Sequence, residues 1–260
     1  MTKQLRKTVI GFFLATLLMT AAQPLAAQEE TEAVHPQALK ILDRATSFMD
    51  KQEQFSAKVE IWEDFEVSAG TLIQYAETVD IFLRRPDHFR VEVATTTPEK
   101  TFFYNGKTVT YLDRIKKYYG SVAAPGGIKK TIAEMNTVYG LTFPLDDILL
   151  RSPFKGSAPK AKAGQYFGIE LISGIPCHHL AFQHDRIDWQ VWIQDGVLPV
   201  FRKLVITHKT QEGSPRFIAQ FDSWDFTTEL PDYLFTIEPS PDYREINFMK
   251  TGLDNTAEKQ

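Results

Sequence analysis

The fold is decided by residues 72–119, which read LIQYAETVDIFLRRPDHFRVEVATTTPEKTFFYNGKTVTYLDRIKKYY. In the first part of this stretch, the residues on one parity are mostly apolar: Ile73, Tyr75, Val79, Ile81 and Leu83. A two-residue period of this kind is typical of a β-strand that buries one face. Arg85 ends the run on the same parity. It is therefore predicted either to reach water past the strand end or to point into a cavity.

The N-terminus has the features of a secretory signal peptide. Lys3, Arg6 and Lys7 precede an apolar run at 9–22, and small residues follow up to a predicted cleavage site near Ala27. The apolar run is shorter than the roughly 20 residues that a membrane-spanning helix needs. We therefore expect an exported, soluble protein without a membrane anchor.

Charge and cysteine content narrow the functional classes. The formal net charge is −4, and loss of the three basic residues of the signal peptide would make it −7. An acidic chain offers no electrostatic basis for binding nucleic acid. Cys177 is the only cysteine, so the chain cannot form an internal disulfide, and the fold must be stable without one.

The rest of the chain continues the alternating pattern, with one helix before the strands and two helices between them. A helix is predicted to begin at Pro36, and two more are predicted at 128–139 and 145–150. The segment 155–164 is predicted to be a solvated loop without regular structure. Ten or eleven strands are predicted, at 55–67, 72–85, 88–94, 101–104, 107–112 and 116–121, then at 166–173, 177–184, 188–193, 200–208 and 216–226. Short turns between consecutive strands favour an antiparallel meander, and the fold class is α+β, mainly β.

These elements predict one large domain. The predicted organisation is a signal peptide at 1–27, a flexible lead at 28–35, the domain at 36–248 with a helical lid insertion at about 126–152, and a disordered tail at 249–260.

Candidate chemical groups are few, and each has a structural explanation. His178 and His184 share a strand face, whereas Cys177 and His179 share the other face, so the four side chains are not predicted to converge on a metal. Adjacent acidic residues at 146–147 suit a helix start. No nucleophile elbow, phosphate loop or HExxH motif is present. We therefore expect a non-enzymatic protein with no metal site and no cofactor.

The aromatic residues concentrate on the strands, where they either fill a core or line a cavity for an apolar ligand. Arg85 distinguishes these alternatives. In the structural interpretation its stem packs along the sheet and its head reaches water, or it pairs with Glu77 on the same parity. In the functional interpretation it lies at the mouth of an apolar pocket and pairs with a lid helix or with a ligand.

Several short motifs resemble known families. The strand end RRPDHFR at 84–90, the NGKT turn at 105–108 and the closing LFTIEP at 234–239 resemble the periplasmic lipoprotein carrier and receptor superfamily, the LolA/LolB-like proteins. The stretch DWQVWI at 188–193 resembles more closely the periplasmic DUF2092 family. Asn105 departs from the carrier pattern, which usually has Asp at this position.

The resemblance implies a strongly curved antiparallel sheet, a half-barrel, with helices packed in its concave face and Arg85 tying the lid to the sheet. It implies a periplasmic carrier that holds a lipid, an acyl chain or another apolar ligand between sheet and lid. The alternative is an envelope sensor or protein-interaction module without a transported cargo. Expected partners are a lipid or an acylated protein, with an envelope membrane protein as a further partner, and the chain itself is expected to be a monomer. The expected ligand-binding residues are Arg85, Tyr75, Ile81, Leu83, Phe89, Val91, Phe103, Ile132, Met135 and Tyr139.

Overall fold

A long hairpin forms the middle of one large sheet in the computed structural model. The structure describes residues 33–251, except 69, 96, 97, 152, 153 and 155. The predicted signal peptide lies outside the described residues. Within them, the helices are α1 (Pro36–Asp50), α2 (Gly127–Tyr139) and α3 (Asp146–Leu149). The strands are β1 (Gln54–Ser68), β2 (Thr71–Arg84), β3 (His88–Ala94), β4 (Pro98–Asn105), β5 (Thr108–Asp113), β6 (Tyr118–Ala123), β7 (Ala163–Ile172), β8 (Ile175–Gln183), β9 (Ile187–Gln194), β10 (Phe201–His208), β11 (Arg216–Asp225) and β12 (Arg244–Glu245).

The strands form a single open sheet in the order β12-β6-β5-β4-β3-β2-β1-β11-β10-β9-β8-β7. Each strand is antiparallel to its neighbours, except that β12 runs parallel to β6. The sheet is curved and does not close, so β7 and β12 are its two edges. The predicted fold class is confirmed, and the strand beyond the predicted number is the two-residue β12.

The concave face carries the main hydrophobic core. Inward residues of the central strands, such as Val59, Ile81 and Val91, are fully buried together with Leu42 of α1 and Met135 of α2. Apolar residues on one stripe of each helix explain this packing, because only that stripe can reach the sheet. A smaller cluster of Cys177, Trp192 and Val205 lies on the convex face.

The start of α1 is as predicted, and the bounds of α2 and α3 agree with the predicted ones to within one residue. Pro36 occupies the first turn of α1, where its missing N–H costs nothing. Gly140 ends α2 in the left-handed conformation, with φ of 63°, and its N–H donates to the Asn136 carbonyl at 3.1 Å. The predicted insertion at 126–152 thus contains α2 and α3.

Three segments that were predicted to lack structure make defined contacts. A short 3-10 turn at Ala158–Lys160 lies inside the predicted loop, and Ala158 is buried because it packs near α1. In the predicted lead, the N–H of His35 donates to the Gly164 carbonyl at 2.8 Å. At the start of the predicted tail, the N–H of Thr251 donates to the Val138 carbonyl at 2.7 Å. The local sequence does not reveal such contacts, because the partners are distant along the chain.

Candidate functional site

Arg85 points toward the helices. Its Nε donates to the Gln52 carbonyl at 3.2 Å, just after α1. Its Nη1 donates to the Leu149 carbonyl at 3.1 Å and its Nη2 to the Leu150 carbonyl at 3.4 Å. These two carbonyls belong to the end of α3, where backbone acceptors have no partner within the helix. One guanidinium therefore joins the rim of the sheet to α1 and α3.

The environment of Arg85 is half-buried and rich in charge. Burial, and to a lesser extent the nearby Arg151, lower the pKa of Arg85 to about 10, while Asp50 and Glu53 act in the opposite direction. The guanidinium remains charged at neutral pH. Arg151 adds a second link, because its Nη2 lies 3.2 Å from Glu53 Oε1.

Glu77 does not pair with Arg85. It lies eight residues away along β2, a separation of roughly 26 Å on an extended strand. Burial raises the pKa of Glu77, and the negative charge of Glu63 raises it further. Of the interpretations of Arg85, the contact with a lid helix is the one that the structure shows.

Six of the predicted ligand-binding residues meet beneath the sheet. They are buried in one continuous core, which α2, α3 and Phe143 fill from the helical side: Ile81, Leu83, Phe89, Val91, Ile132 and Met135. Phe143 packs edge-on against Phe89, with ring centroids 5.2 Å apart. The space between the sheet and the lid helices is therefore occupied by side chains in this state.

The remaining predicted residues lie elsewhere. Tyr139 is half-buried at the end of α2, with its ring 5.7 Å from that of Phe248. Phe103 lies on the convex face, opposite Arg90, whose guanidinium lies 5.3 Å from the centre of the Phe103 ring. Phe103 is thus separated from the other predicted residues by the sheet itself. Its neighbour Phe102 occupies the concave face, opposite Val91.

Tyr75 belongs to a part of the concave face that none of the described helices covers. It is 58% exposed, and Phe65, Val67 and Ile73 on the same face of the hairpin are also exposed. We call these four residues the hairpin strip. The rings of Phe65 and Tyr75 meet edge to face, with centroids 5.4 Å apart. The alternation of β1 could have identified Phe65, since it follows the same parity as the buried Val59 and Ile61.

One cavity lies next to the hairpin strip, and another lies next to Arg85. One of about 320 Å³ lies along the hairpin strip and continues to the buried Ile61; it is lined by Ile61, Glu63, Phe65, Tyr75, Ala76, Glu77 and Thr95. Another of about 390 Å³ lies beside the guanidinium that holds the lid, and is lined by Arg85, Pro86, Ile128, Lys129, Leu149, Leu150 and Arg151. The first is mostly apolar, and the second opens at the seam between sheet and helices.

The histidine and cysteine side chains divide between the two faces as predicted. His178 is opposite Ile169 on the concave side, whereas the His179 ring stacks on Trp192 at 4.2 Å on the convex side. Cys177 is buried, and burial raises the pKa of its thiol. Among the described residues, no three side chains of the usual metal-binding types converge. The acidic pair predicted at a helix start occupies the first turn of α3.

No curated protein matches the sequence of this chain. No helix in the described part of the chain combines the length and the apolar character needed to span a membrane.

Similar folds occur in several solved structures. An uncharacterised conserved protein from Thermus thermophilus has 11% identity and a TM-score of 0.47, with 81% of this chain and 99% of that protein covered. A LolA superfamily protein from Nitrosomonas europaea has 12% identity and a TM-score of 0.41 over 77% and 97% of the two chains. LprF from Mycobacterium bovis has 12% identity and a TM-score of 0.46 over 77% and 98%.

The sequence itself establishes the family. Residues 38–249 match the DUF2092 model, which is described as a predicted periplasmic protein. This range includes all of α1 except its first two residues, the whole sheet and the lid helices. The match confirms the resemblance at 188–193 and the predicted periplasmic location. The chain belongs to the DUF2092 family of periplasmic proteins.

Proposed function

We propose that this protein is a non-enzymatic binding protein of the periplasm. It holds a lipid, an acyl chain or another long apolar ligand against the concave face of its sheet. The ligand lies along the hairpin strip and extends between the sheet and the helices α2 and α3. Its partner is a lipid or an acylated protein.

The observation that carries this proposal is that large apolar side chains continue along the concave face beyond the part that is buried. Along β2, Val79 and Ile81 are buried, and Tyr75 and Ile73 are exposed on the same face, with Glu77 between the two pairs. Large apolar side chains exposed together on one surface are typical of a site that another molecule covers. The adjoining cavity of about 320 Å³ gives a ligand chain room to start without any movement of the helices.

Deeper insertion requires the lid to open. The ligand must replace the contacts that Ile132 and Met135 make with the sheet. It must also break the bonds from Arg85 to the carbonyls of Leu149 and Leu150. Carbonyl or phosphate oxygens of the ligand are suitable replacement acceptors for that guanidinium. Affinity is therefore set by competition between the ligand and the lid for one surface.

The ligand and the lid both gain free energy by burying apolar surface. Burying each CH₂ group of a ligand chain contributes about 0.8 kcal/mol. The residues that line the closed core gain burial in the same way, so the chain must be long enough to exceed what the lid loses. A short apolar molecule is expected to bind at the hairpin strip alone.

The test is to purify the full chain from the periplasm without detergent and to measure bound lipid by native mass spectrometry and solvent extraction. We expect a lipid in the wild-type protein, and loss of it in Phe65→Glu, which places a charge in the hairpin strip. Phe167→Glu is the matched control, because Phe167 is also exposed but contacts His179 on the convex face.

Two results would contradict the proposal. One is recovery of no lipid from the wild-type protein. The other is equal lipid retention by Phe65→Glu and Phe167→Glu. Co-purification of a protein partner in place of lipid would favour the sensor or interaction alternative.

A further inference from the structure

A second groove on the concave side lies between α1 and the hairpin of β7 and β8. Its volume is about 700 Å³, and it is lined by Pro36, Gln37, Lys40, Ile41, Asp43, Arg44 and His178. Arg85 and the hairpin strip do not line it, so it is distinct from the site proposed above. We call it the α1 groove.

Helix α1 forms one wall of the α1 groove, and this wall carries two basic residues. Lys40 and Arg44 are four residues apart, so they lie on one side of the helix, and both are exposed. Within the described part of the chain, neither forms an ion pair with a carboxylate; Arg44 Nη2 donates to the Gly196 carbonyl. The exposed Asp43 also lines the groove. The lining of the α1 groove thus carries two cations and one carboxylate, in a chain whose formal net charge is −4.

The opposite wall is a fixed hydrogen-bonded chain. Tyr166 Oη lies 3.0 Å from His178 Nδ1, and His178 Nε2 lies 3.1 Å from Asp195 Oδ1. The same Asp195 oxygen accepts the N–H of Gly196 at 2.8 Å. Both ring nitrogens of His178 are therefore occupied, which fixes the orientation of the imidazole. Because Arg44 reaches Gly196, the same turn also holds the basic wall in position.

The sheet beside His178 is apolar and uncovered. Ile169 is directly opposite His178 in the antiparallel pair, and it is 52% exposed. Leu171, further along the same strand, is 68% exposed. Side chains directly opposite each other in a sheet lie about 5 Å apart on one face. A basic wall thus adjoins an apolar floor.

We propose that the α1 groove binds an oxyanion, a carboxylate or a phosphate, carried at the end of an apolar chain. Lys40 supplies a mobile ammonium group, and Arg44 supplies the guanidinium donors that it does not use on Gly196. The apolar chain lies over Ile169 and Leu171. Tyr166 and Asp195 are positioning residues, because they hold His178 in place without contacting the ligand.

The test is an NMR titration of the full chain, in which the amide signals of His178 and Gly196 report on the α1 groove and that of Ile73 reports on the hairpin strip. The probes are decanoate, decanol and inorganic phosphate. We expect decanoate to shift the two groove signals and decanol to leave them unchanged. If phosphate also shifts them, the anion alone suffices; if it does not, the chain is needed as well. Both results support the site.

The variant Lys40→Gln/Arg44→Gln is expected to weaken decanoate binding at the groove signals by about tenfold or more, since it removes two charge-assisted donors. Lys116→Gln/Arg186→Gln is the matched control, because both of its residues are exposed and lie outside the groove. Tyr166→Phe is expected to weaken binding less, because it frees the His178 ring but leaves both cations.

The proposal is wrong if decanoate leaves the groove signals unchanged. It is also wrong if decanol shifts them equally, or if the double variant binds as tightly as the control. A shift at Ile73 alone would support the hairpin strip and contradict the α1 groove, so the two proposals fail separately.

Discussion

The two halves of the β1–β2 hairpin have the same alternation of residues and opposite burial. Near the end of β2, Ile81 and Leu83 are completely buried under the helices, and Arg85 binds the carbonyls of α3. Near the turn, Ile73 and Tyr75 project from the same face into solvent. A period of two residues therefore determines which face a side chain occupies, but the helices that cross the sheet determine whether it is buried.

The largest expected effect is on the free energy of unfolding, when one side chain in each half of the hairpin is shortened to alanine. Leu83→Ala should lower the free energy of unfolding by about 2 to 5 kcal/mol, because it leaves a cavity in a filled core. Ile73→Ala, on the same face of the same strand, should cost less than about 1 kcal/mol, since the site is already open to water. Urea unfolding of both variants measures this. Equal losses would show that the hairpin strip is covered in solution.

The next prediction concerns the bond between sheet and lid. Arg85→Leu leaves the acceptors at Leu149 and Leu150 without their donor, so we expect a loss of roughly 1 to 3 kcal/mol and faster hydrogen exchange in α2 and α3. Arg84→Leu is the control: Arg84 contacts the Leu230 carbonyl and Asp232 and should affect that segment instead. If hydrogen exchange in α2 and α3 is unchanged in Arg85→Leu, Arg85 does not hold the lid helices to the sheet.

A smaller effect is expected for binding at the uncovered half. Tyr75→Ala should weaken binding of an apolar fluorescent probe by roughly tenfold, because burial of an aromatic side chain contributes about 1.5 to 3 kcal/mol. Stability should change little. Probe titration of Tyr75→Ala beside Phe167→Ala compares the concave and convex faces directly. Equal affinities of the two variants would place the probe outside the hairpin strip.

The smallest expected effect is on the pH dependence of stability, and it comes from a carboxyl group in the uncovered half of the hairpin. The pKa of Glu77 is raised by burial and by Glu63. A carboxyl group with a raised folded-state pKa weakens folding as pH rises above its usual value of 4.5, because ionisation is easier in the unfolded chain. Glu77→Gln should therefore be slightly more stable than wild type at pH 7 and equal to it below pH 4.5.

Thermal unfolding at both pH values measures the effect of Glu77. Glu229→Gln, at an exposed position, is the control for the loss of a carboxyl group. An advantage of Glu77→Gln that persists unchanged at low pH would exclude ionisation as its cause.

Some features could be predicted because they depend on neighbours in the chain. The strand at His88–Ala94 was predicted with its exact bounds, and the start of α1 at Pro36 follows from proline geometry. Arg85 was placed on the inward parity by counting along one strand, and the lid contact agrees with that count. The faces of Cys177, His178 and His179, and that of His184, followed from the same reasoning.

Phe103 shows where counting residues along a strand does not give the correct face of the sheet. In the run of Phe102, Phe103 and Tyr104, all three side chains are buried, so hydrophobicity does not reveal which face is concave. The register decides it: β4 pairs Phe102 with Val91 and Phe103 with Arg90. Because a shift of one residue exchanges the two faces of a strand, a run that is apolar on both sides leaves the register open in sequence.

The sequence by itself determined the strands, the faces of most of their side chains, the family and the inward direction of Arg85, because these depend on periodicity and local geometry. The tertiary structure decided that the lid is closed over a filled core, that the hairpin strip is uncovered, and that Lys40 and Arg44 face His178 across a groove. Those outcomes depend on where distant helices cross the sheet. Such crossings are fixed by packing between residues far apart in the chain, which no local pattern encodes.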